Sequence, residues 1–266
     1  MKVSIVTATY NRGEKLAVLY ESLKKQKLDL YKWIIIDDGS TDNTEKIIKE
    51  LKKENKVEIY YYKKVNGGKH TAINFCLDNC VELTELIFFV DSDDFLKEDA
   101  IEQIIFHYNS LKNKEKYAGL CFQKIEEKTN KFLEKNFPYE EFDSTVITSM
   151  RRYKLHRDKA EVFFKSELIK HRFPVIKGEK FFSELYIWMD LTKEKKIRYI
   201  NKGIYVCSYN DDGYTKNMKS IIKKNPVGNL LYYTKIYKTK SIGIEFRLRA
   251  LYRILYILIE IGKKDE

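Results

Sequence analysis

Residues 86–94 read LIFFVDSDD, an unbroken apolar run that ends in three carboxylates and a serine. A short run of β-branched and aromatic residues is typical of a strand buried on both faces of a parallel sheet. Such sheets bind ligands beyond the carboxyl ends of their strands. Three neighbouring carboxylates repel one another unless a cation lies among them, and a hard divalent ion held also by phosphate oxygens would meet that need. The alternative is an acidic turn in which Asp94 caps the helix that begins near Lys97.

The rest of the first hundred residues alternates between strand and helix patterns. These patterns cover residues 3–9, 14–25, 33–36, 41–51, 57–62 and 69–77. Their alternation predicts an α/β fold with a doubly wound, mostly parallel sheet flanked by helices. Because the carboxyl ends of parallel strands share one edge of a sheet, we expect Thr9, Asp38 and Asp91 to converge there.

The pattern is weaker after residue 96. We expect a helix at 97–112, a strand at 118–123, an exposed hairpin or loop at 126–135 and an irregular segment at 136–157. A second strand at 161–164 and a second helix at 185–191 are expected next, followed by one or two strands at 197–209 and a polar loop at 209–215. The remainder is predicted to be helical.

Composition narrows the class of protein. The chain has 266 residues, of which 44% are hydrophobic and 33% charged, so it can build a core. The net charge of +11 favours nucleotides, nucleic acid or an anionic membrane surface as partners. No apolar run is long enough to span a bilayer, and Met1 leads directly into a strand rather than a signal peptide, so we expect a cytoplasmic protein. The four cysteines form no C-x-x-C pair and are expected to be reduced, with Cys76 and Cys80 packed in the core.

Four segments together resemble the family 2 glycosyltransferases of the Rossmann-like GT-A fold. They occur in the family's order and spacing over about the first 100 residues, and they read TATYNR at 7–12, IDDGSTD at 36–42, GGKHTAIN at 67–74 and DSDD at 91–94. The resemblance implies an inverting, metal-dependent transfer of a sugar from a nucleotide donor to an acceptor hydroxyl. It further implies a bacterial enzyme of cell-surface polysaccharide or glycolipid synthesis.

The resemblance also implies a division of the chain. Residues 1–215 would form the GT-A domain, with a nucleotide-binding half at 1–100 and an acceptor half at 101–215. Residues 216–266 would form a C-terminal helical extension.

The resemblance assigns the donor site to the ends of the first strands. Asp38 would bind the nucleotide base, and a carboxylate accepts well from the ring N–H of uracil, which favours a UDP-sugar. Thr7, Thr9 and Tyr10 would line the same site, and Lys69 would lie near the base or the diphosphate.

Neighbouring polar residues have simpler expected roles. Asp37 and Asp42 are expected to cap the turn and the next helix, and His70 is expected to be structural.

The D-x-D motif supplies the expected metal site. The resemblance implies that Asp93 is the direct ligand of Mn²⁺ or Mg²⁺ and that Asp91 reaches the ribose, a bound water or the metal. Ser92 would belong to the donor-binding site. Oxygen ligands suit both ions, so the sequence does not choose between them.

An inverting transferase needs a carboxylate base that deprotonates the acceptor hydroxyl. The family places it in an E-D motif at the start of a helix, where this chain has Ser183-Glu184. We therefore assign the base to Glu184, with Glu179 as the rival. Trp188, one helical turn later, is either a sugar platform or a core residue. The loop at 211–215 is either a cover over the diphosphate or a plain turn.

Three other functions compete with this assignment. A sugar nucleotidyltransferase would need a glycine-rich, arginine-containing loop directly after the first strand, and residues 10–13 have one glycine. A D-x-D phosphatase would carry its motif on an early strand. A non-catalytic basic protein that binds nucleotides, nucleic acid or a membrane surface would cluster its lysines, which are scattered here.

The C-terminal segment 246–264 predicts a basic amphipathic helix. Its apolar set is Phe246, Leu248, Leu251, Ile254, Leu255, Leu258 and Ile261, and its basic set is Arg247, Arg249, Arg253, Lys263 and Lys264. Such a helix can lie in a membrane interface, here at the inner face of the cytoplasmic membrane, where it would meet a lipid-linked acceptor. The alternative is that it packs on its own domain, or on a second subunit in a homodimer, and presents only charge outward.

Overall fold

The computed structural model describes residues 1–208 and 218–262, without the side chains of 218 and 219. Strands and helices alternate through the first part: β1 (Val3–Thr9), α1 (Gly13–Lys24), β2 (Tyr31–Asp37), α2 (Thr44–Lys53), β3 (Ile59–Lys63), α3 (Lys69–Asn79) and β4 (Leu86–Phe89). The four strands pair in parallel in the order β3-β2-β1-β4. The alternating pattern of the sequence is therefore confirmed.

The second part adds β5 (Phe95–Leu96), α4 (Ala100–Ser110), β6 (Tyr117–Glu126), β7 (Lys131–Phe132), β8 (Glu141–Ser144), α5 (Val146–Tyr153), β9 (Ala160–Phe164), α6 (Lys165–Leu168), α7 (Leu185–Leu191) and β10 (Lys196–Cys207). The sheet continues from β4 in the order β9-β6-β10-β5, with β7 beside β6 and β8 beside β10. Strand β9 runs antiparallel to both β4 and β6 and so interrupts the parallel order, which resumes where β10 pairs in parallel with β6. The α/β class is confirmed, with one mixed sheet shared by both halves.

Apolar side chains cover both faces of the central strands. On β2, Trp33 and Ile35 pack on one side of the sheet, while Ile34 and Ile36 pack on the other, and all four are fully buried. A strand with two buried faces has no polar side to present, which explains the continuous apolar runs of the sequence.

The segment 136–157 is more ordered than the sequence predicts. It contains β8 and α5, and the helix begins after Thr145, whose Oγ1 accepts from the Thr148 N–H at 3.1 Å. Both elements are short, and β8 is held by pairing with β10, which lies more than fifty residues later in the chain. The hairpin expected at 126–135 is confirmed, because β7 pairs with the end of β6.

The C-terminal part is helical, as predicted, with α8 (Met218–Lys224), α9 (Pro226–Lys238) and α10 (Ile244–Gly262). Helix α10 packs along α9 and buries Ala250 and Ile257. Packing on its own chain is thus observed, but the expectation that the helix shows only charge outward is wrong, because Leu248 and Leu255 are more than half exposed. In the described part of the chain, none of the helices is long and apolar enough to cross a membrane.

Two predicted features lie outside the described residues. They are the polar loop at 211–215 and the terminal lysines at 263 and 264.

Candidate active site

The ends of β1, β2 and β4 meet at one edge of the sheet, as predicted. Strand β1 lies between the other two, and the Asp38 N–H donates to the Thr9 carbonyl at 2.8 Å. The Val90 N–H donates to the Val6 carbonyl at 3.0 Å, which brings the D-x-D motif beside the same edge. Polar residues from three strands therefore lie together where the parallel strands end.

Asp38 organises the turn that precedes α3. Its Oδ1 accepts from Lys64 Nζ at 2.6 Å and from the Gly67 N–H at 3.0 Å, and its Oδ2 accepts from the Gly68 N–H at 2.6 Å. The side-chain amide of Asn66 approaches Oδ2 at 3.2 Å. The carboxylate is 3% exposed and has a donor at each of its lone-pair sites.

Gly68 brings this turn against the second half of the chain. Its φ is +93°, and a Cβ at this position would overlap the carbonyl oxygen of Lys180. Only glycine fits this combination of backbone angle and close approach.

The residues at the end of β1 divide between core and surface. Thr7 is fully buried, and its Oγ1 accepts from Trp33 Nε1 at 3.0 Å, so its side chain is part of the core and only its backbone lies at the strand edge. Thr9 lies on the same face and is 3% exposed, and its Oγ1 has no hydrogen-bond partner among the described residues. Tyr10 is 45% exposed and is the residue of the three that can contact a ligand without rearrangement.

Asp37 and Asp42 hold the β2–α2 turn, as expected. Asp37 Oδ1 accepts from the Ser40 N–H at 2.7 Å, and Asp42 Oδ1 accepts from the Thr44 N–H at 3.0 Å at the start of α2.

The two acids of the D-x-D motif are each paired with a basic side chain. Asp93 accepts from the Arg12 guanidinium at 2.6 Å, and Asp91 forms an ion pair with Lys69. Lys124 lies 3.7 Å from the other oxygen of Asp91. Burial alone would raise the pKa of Asp91, but Lys69 and Lys124 outweigh it and hold that pKa well below its usual range. Asp91 is therefore an anion at neutral pH.

Ser92 and Asp94 are the buried residues of the DSDD segment. Ser92 is 3% exposed and Asp94 is 7% exposed. Asp94 accepts from Tyr205 Oη at 2.7 Å and from the Ser208 N–H at 3.1 Å. Burial, and then the charge of Asp91, raise the pKa of Asp94 to about 6. The alternative that Asp94 caps a helix is wrong, because α4 begins at Ala100.

Tyr205 and Lys124 lie beneath the motif, and both are absent from the predicted site. The Tyr205 hydroxyl accepts from the Asp91 N–H at 2.9 Å while it donates to Asp94. Lys124 is 8% exposed and lies over the Tyr205 ring at 4.1 Å. The sequence offers one indication for Lys124: it lies within the buried strand YAGLCFQKIE, and a buried lysine requires an acidic partner.

Lys69 connects the D-x-D motif to the predicted base. Its Nζ lies 2.7 Å from Glu184 Oε1 while it also pairs with Asp91. Burial opposes the charge on Lys69, but the two carboxylates outweigh it and hold the pKa of the ammonium well above its usual value. Glu184 immediately precedes α7 and is one-third exposed. The structure therefore brings Glu184 and Asp91 into one site.

Glu179, the rival base, lies elsewhere. Its Oε1 accepts from the Val227 N–H and its Oε2 from the Gly228 N–H, each at 2.7 Å. Both oxygens thus satisfy free N–H groups in the first turn of α9, where an anion is stabilised. Glu179 is therefore a helix cap in this structure, whereas Glu184 is the candidate base that pairs with Lys69.

Trp188 and His70 are core residues. Trp188 is 7% exposed, with its ring 4.3 Å from that of Phe163, so it is not a sugar platform. His70 is 2% exposed, and burial lowers its pKa to about 4, so it is neutral at physiological pH. Its expected structural role is confirmed.

Glu161 on β9 is a further acid that the sequence analysis did not select. Its side chain is partly buried and makes no hydrogen bond or ion pair with the described residues, and it lies near enough to Glu184 and Lys124 for their charges to affect it. Burial raises the pKa of Glu161 to about 7. The carboxyl group of Glu161 therefore titrates close to neutral pH.

Asp91 and Asp93 offer carboxylate oxygens suited to a hard divalent ion. No group of three or more metal-binding side chains occurs in the described ranges 1–208 and 218–262. A site with two carboxylates fits an ion whose other ligands come from substrate phosphates and water.

The match to a family model decides the class of protein. Residues 4–167 match the model described as glycosyl transferase family 2. The chain belongs to glycosyl transferase family 2. Membership supports an enzyme over the binding-protein alternative and disfavours the nucleotidyltransferase and phosphatase alternatives.

Two relatives illustrate the similarity of this family 2 chain to curated proteins. An uncharacterised glycosyltransferase of Mycoplasma genitalium is 28% identical over 172 residues, which cover 63% of this chain and 56% of the relative. The GalNAc(5)-diNAcBac-PP-undecaprenol beta-1,3-glucosyltransferase of Campylobacter jejuni is 27% identical over 213 residues, which cover 77% of this chain and 64% of the relative. The chain thus matches less than two thirds of either relative.

Two solved structures show the fold. Residues 1–349 of Staphylococcus aureus TarS, in complex with UDP-GlcNAc, superpose with a TM-score of 0.68 at 18% identity, covering 98% of this chain and 72% of that one. The mannosyltransferase PcManGT of Pyrobaculum calidifontis, in complex with GDP-Man and Mn²⁺, superposes with a TM-score of 0.64 at 13% identity, covering 98% and 74%. The fold is GT-A, as predicted.

Proposed function

We propose that this family 2 chain transfers a sugar from a nucleotide donor to an acceptor hydroxyl with inversion, and that the reaction depends on a divalent metal. The observation that carries the proposal is the pair of contacts made by Lys69. It joins the D-x-D acid Asp91 to the acid at the start of α7, Glu184. A donor-binding carboxylate and a candidate base therefore lie within one side chain of each other, as transfer between two bound sugars requires.

The donor in this proposal is a UDP-sugar. The complex of TarS with UDP-GlcNAc supports this choice. Because PcManGT was solved with GDP-Man, a GDP-sugar is the alternative donor that the test must include. Asp38 would accept from the N3–H of uracil, and Tyr10 would contact the base. Because Asp38 already has several donors, Lys64 or Asn66 would give up its bond when the base binds.

Asp93 and Asp91 would hold the metal, which would be Mn²⁺ or Mg²⁺. The Mn²⁺ in the complex of PcManGT supports a divalent ion. When bound, the ion would neutralise the charge that develops on the departing nucleotide. The proposal requires Arg12 to release Asp93, and its guanidinium would then be free to bind phosphate oxygens.

Glu184 would act as the base. Its carboxylate would take the proton of the acceptor hydroxyl as the acceptor oxygen bonds to the anomeric carbon and the bond from that carbon to the nucleotide oxygen breaks. Lys69 orients the carboxylate in the free protein. Binding of a diphosphate would offer Lys69 a further anion besides Asp91 and release Glu184 for proton transfer.

The acceptor would be a cell-surface saccharide or a lipid-linked glycan at the inner face of the cytoplasmic membrane. The name of the Campylobacter relative, which specifies an undecaprenol-linked acceptor, supports this class. Residues 1–100 would bind the nucleotide, residues 101–215 the acceptor, and residues 216–266 would form the helical extension.

A thermal-shift panel of UDP, GDP, ADP and their sugars, with and without Mn²⁺, tests the proposal. We expect UDP with Mn²⁺ to give the largest rise in melting temperature, because a ligand at 100 times its Kd adds about 2.7 kcal/mol to the free energy of unfolding. Release of UDP from the best donor then tests turnover. A panel in which no nucleotide shifts the melting temperature would refute a nucleotide-sugar donor.

A further inference from the structure

Helix α10 leaves one side of its surface apolar and uncovered. Six large side chains form this surface, which we call the α10 outer face, and each is between 49% and 65% exposed: Ile244, Leu248, Tyr252, Leu255, Leu258 and Ile259. Five of them recur every three or four residues, so they share one side of the helix. The opposite side packs on α9 through Ala250 and Ile257. The uncovered side therefore costs hydration free energy that nothing within the described part of the chain offsets.

Basic residues border the α10 outer face. Arg247 lies along one edge, where its guanidinium covers the Tyr237 ring at 5.3 Å, and Arg249 lies along the other, 2.7 Å from Glu245. Lys238 and Lys240 are exposed just before the helix. Residues 218–262 contain nine Lys and Arg and two Glu, so they hold +7 of the net charge of +11.

We propose that the α10 outer face docks on an anionic lipid surface, with the helix axis in the plane of the membrane. Its apolar side chains would enter the boundary between headgroups and acyl chains, and the bordering arginines would remain among the headgroups. The concentration of positive charge in the same 45 residues would add attraction to an anionic leaflet.

The charge distribution favours a membrane over a second copy of the chain. A two-fold contact through this face would place the same patch on both subunits, so the basic borders would face each other. Like charges brought together at an interface oppose association, whereas an anionic leaflet is complementary to both borders.

This docking would bring the transferase site close to a lipid-linked acceptor. That benefit of the docking rests on the proposed function. The docking itself is independent of donor, metal and acceptor. A failed nucleotide panel would therefore leave it intact, and a failed vesicle experiment would leave the transferase assignment intact.

Co-sedimentation of the full chain with vesicles tests the proposal. Vesicles of phosphatidylcholine alone are compared with vesicles containing about one quarter phosphatidylglycerol, at low and high salt. We expect binding to the anionic vesicles, weakened by salt. The triple variant Leu248→Ser, Leu255→Ser, Ile259→Ser should bind at least about tenfold more weakly, because these side chains supply the apolar contact.

A matched control removes exposed apolar side chains from other surfaces. Val18, Val81 and Phe106 are 56%, 87% and 64% exposed, and their triple change to serine should leave vesicle binding unchanged. Arg247→Gln with Arg249→Gln should weaken binding to anionic vesicles and reduce its salt dependence.

Two outcomes would overturn the proposal. One is wild-type chain that does not sediment with anionic vesicles at low salt, or sediments no better than the α10 variant. The other is a dimer, seen by light scattering, that the α10 variant dissociates while vesicle binding is absent, which would assign the face to a second copy.

Discussion

At the scale of single residues, the acids that the sequence predicts for the site each have a specific basic or backbone partner. Asp38 is held by Lys64 and the glycine turn, Asp93 by Arg12, and Glu184 by Lys69. The partner distinguishes acids that resemble one another in sequence. Glu179 and Glu184 lie five residues apart, yet one caps a helix and the other faces the D-x-D motif.

Glu184→Gln tests the base at this scale. We expect transfer to fall by about 10²–10⁴-fold, because the amide cannot take the acceptor proton, while nucleotide binding by calorimetry stays close to wild type. Glu179→Gln is the matched control. It should lower the free energy of unfolding by about 1 kcal/mol through weaker capping and leave the rate per folded molecule unchanged. The assignment fails if Glu179→Gln is the inactive variant.

Glu161 predicts a pH dependence of stability. Its pKa is raised by burial to about 7 in the folded protein, so the folded state binds the proton more tightly than the unfolded state does. Stability from this group is therefore fully present below the unfolded pKa and is lost as pH rises through about 7. In urea unfolding, Glu161→Gln should gain stability over wild type between pH 5 and pH 8, and the exposed control Glu50→Gln should not. A pH-independent difference would show that the carboxyl group does not titrate in this range.

At the scale of elements, the first half of the fold and the ends of its strands could be predicted because each strand is a buried run and each helix has a clear apolar spacing. The boundaries of α7 could also be predicted, and the one or two strands expected at 197–209 form the single strand β10. The short β8 and α5 were not, because pairing with a distant strand decides them. Lys124 and Tyr205 could not be placed, since they reach the motif from strands that lie 33 and 114 residues away from Asp91 in the chain.

The turn before α3 allows a test of its glycines. Gly68→Ala should lower the free energy of unfolding by more than about 2 kcal/mol, because it combines a positive φ with overlap on Lys180. Gly178→Ala provides the comparison, since its φ is +84° but a Cβ there meets nothing within 4 Å. Backbone strain alone, about 1 kcal/mol, is expected for this second variant. Equal losses in urea unfolding would mean that contact with Lys180 contributes nothing.

At the scale of the whole molecule, strands from the first and second parts of the chain form one sheet, while basic helices form the C-terminal end. The charge excess, read from composition as a general preference for anions, is concentrated in that end rather than around the strand edge. Composition alone predicts that a partner is negatively charged, but the packing of the helices determines which surface is exposed to it.

The Asp93→Ala variant tests metal use in the whole protein. In the wild type, we expect Mn²⁺ to increase the shift in melting temperature that UDP causes. In the variant, Mn²⁺ should no longer increase that shift, because Asp93 would hold the ion. The melting temperature without ligand should change little, since the variant removes one partly exposed ion pair with Arg12. A wild type that turns over fully in EDTA would remove the metal from the proposal.

The antiparallel insertion of β9 between β4 and β6 has a consequence during synthesis on the ribosome. The four parallel strands are complete once residue 89 has emerged, but the open side of β4 pairs with residues 162–164, about seventy residues later. Until then the apolar segment LIFF is an unpaired edge, which is the kind of template on which nascent chains associate. A chain that ends before β9, because translation stalls or the gene is truncated, would therefore expose the edge of β4. We expect such a chain to aggregate through this apolar strand.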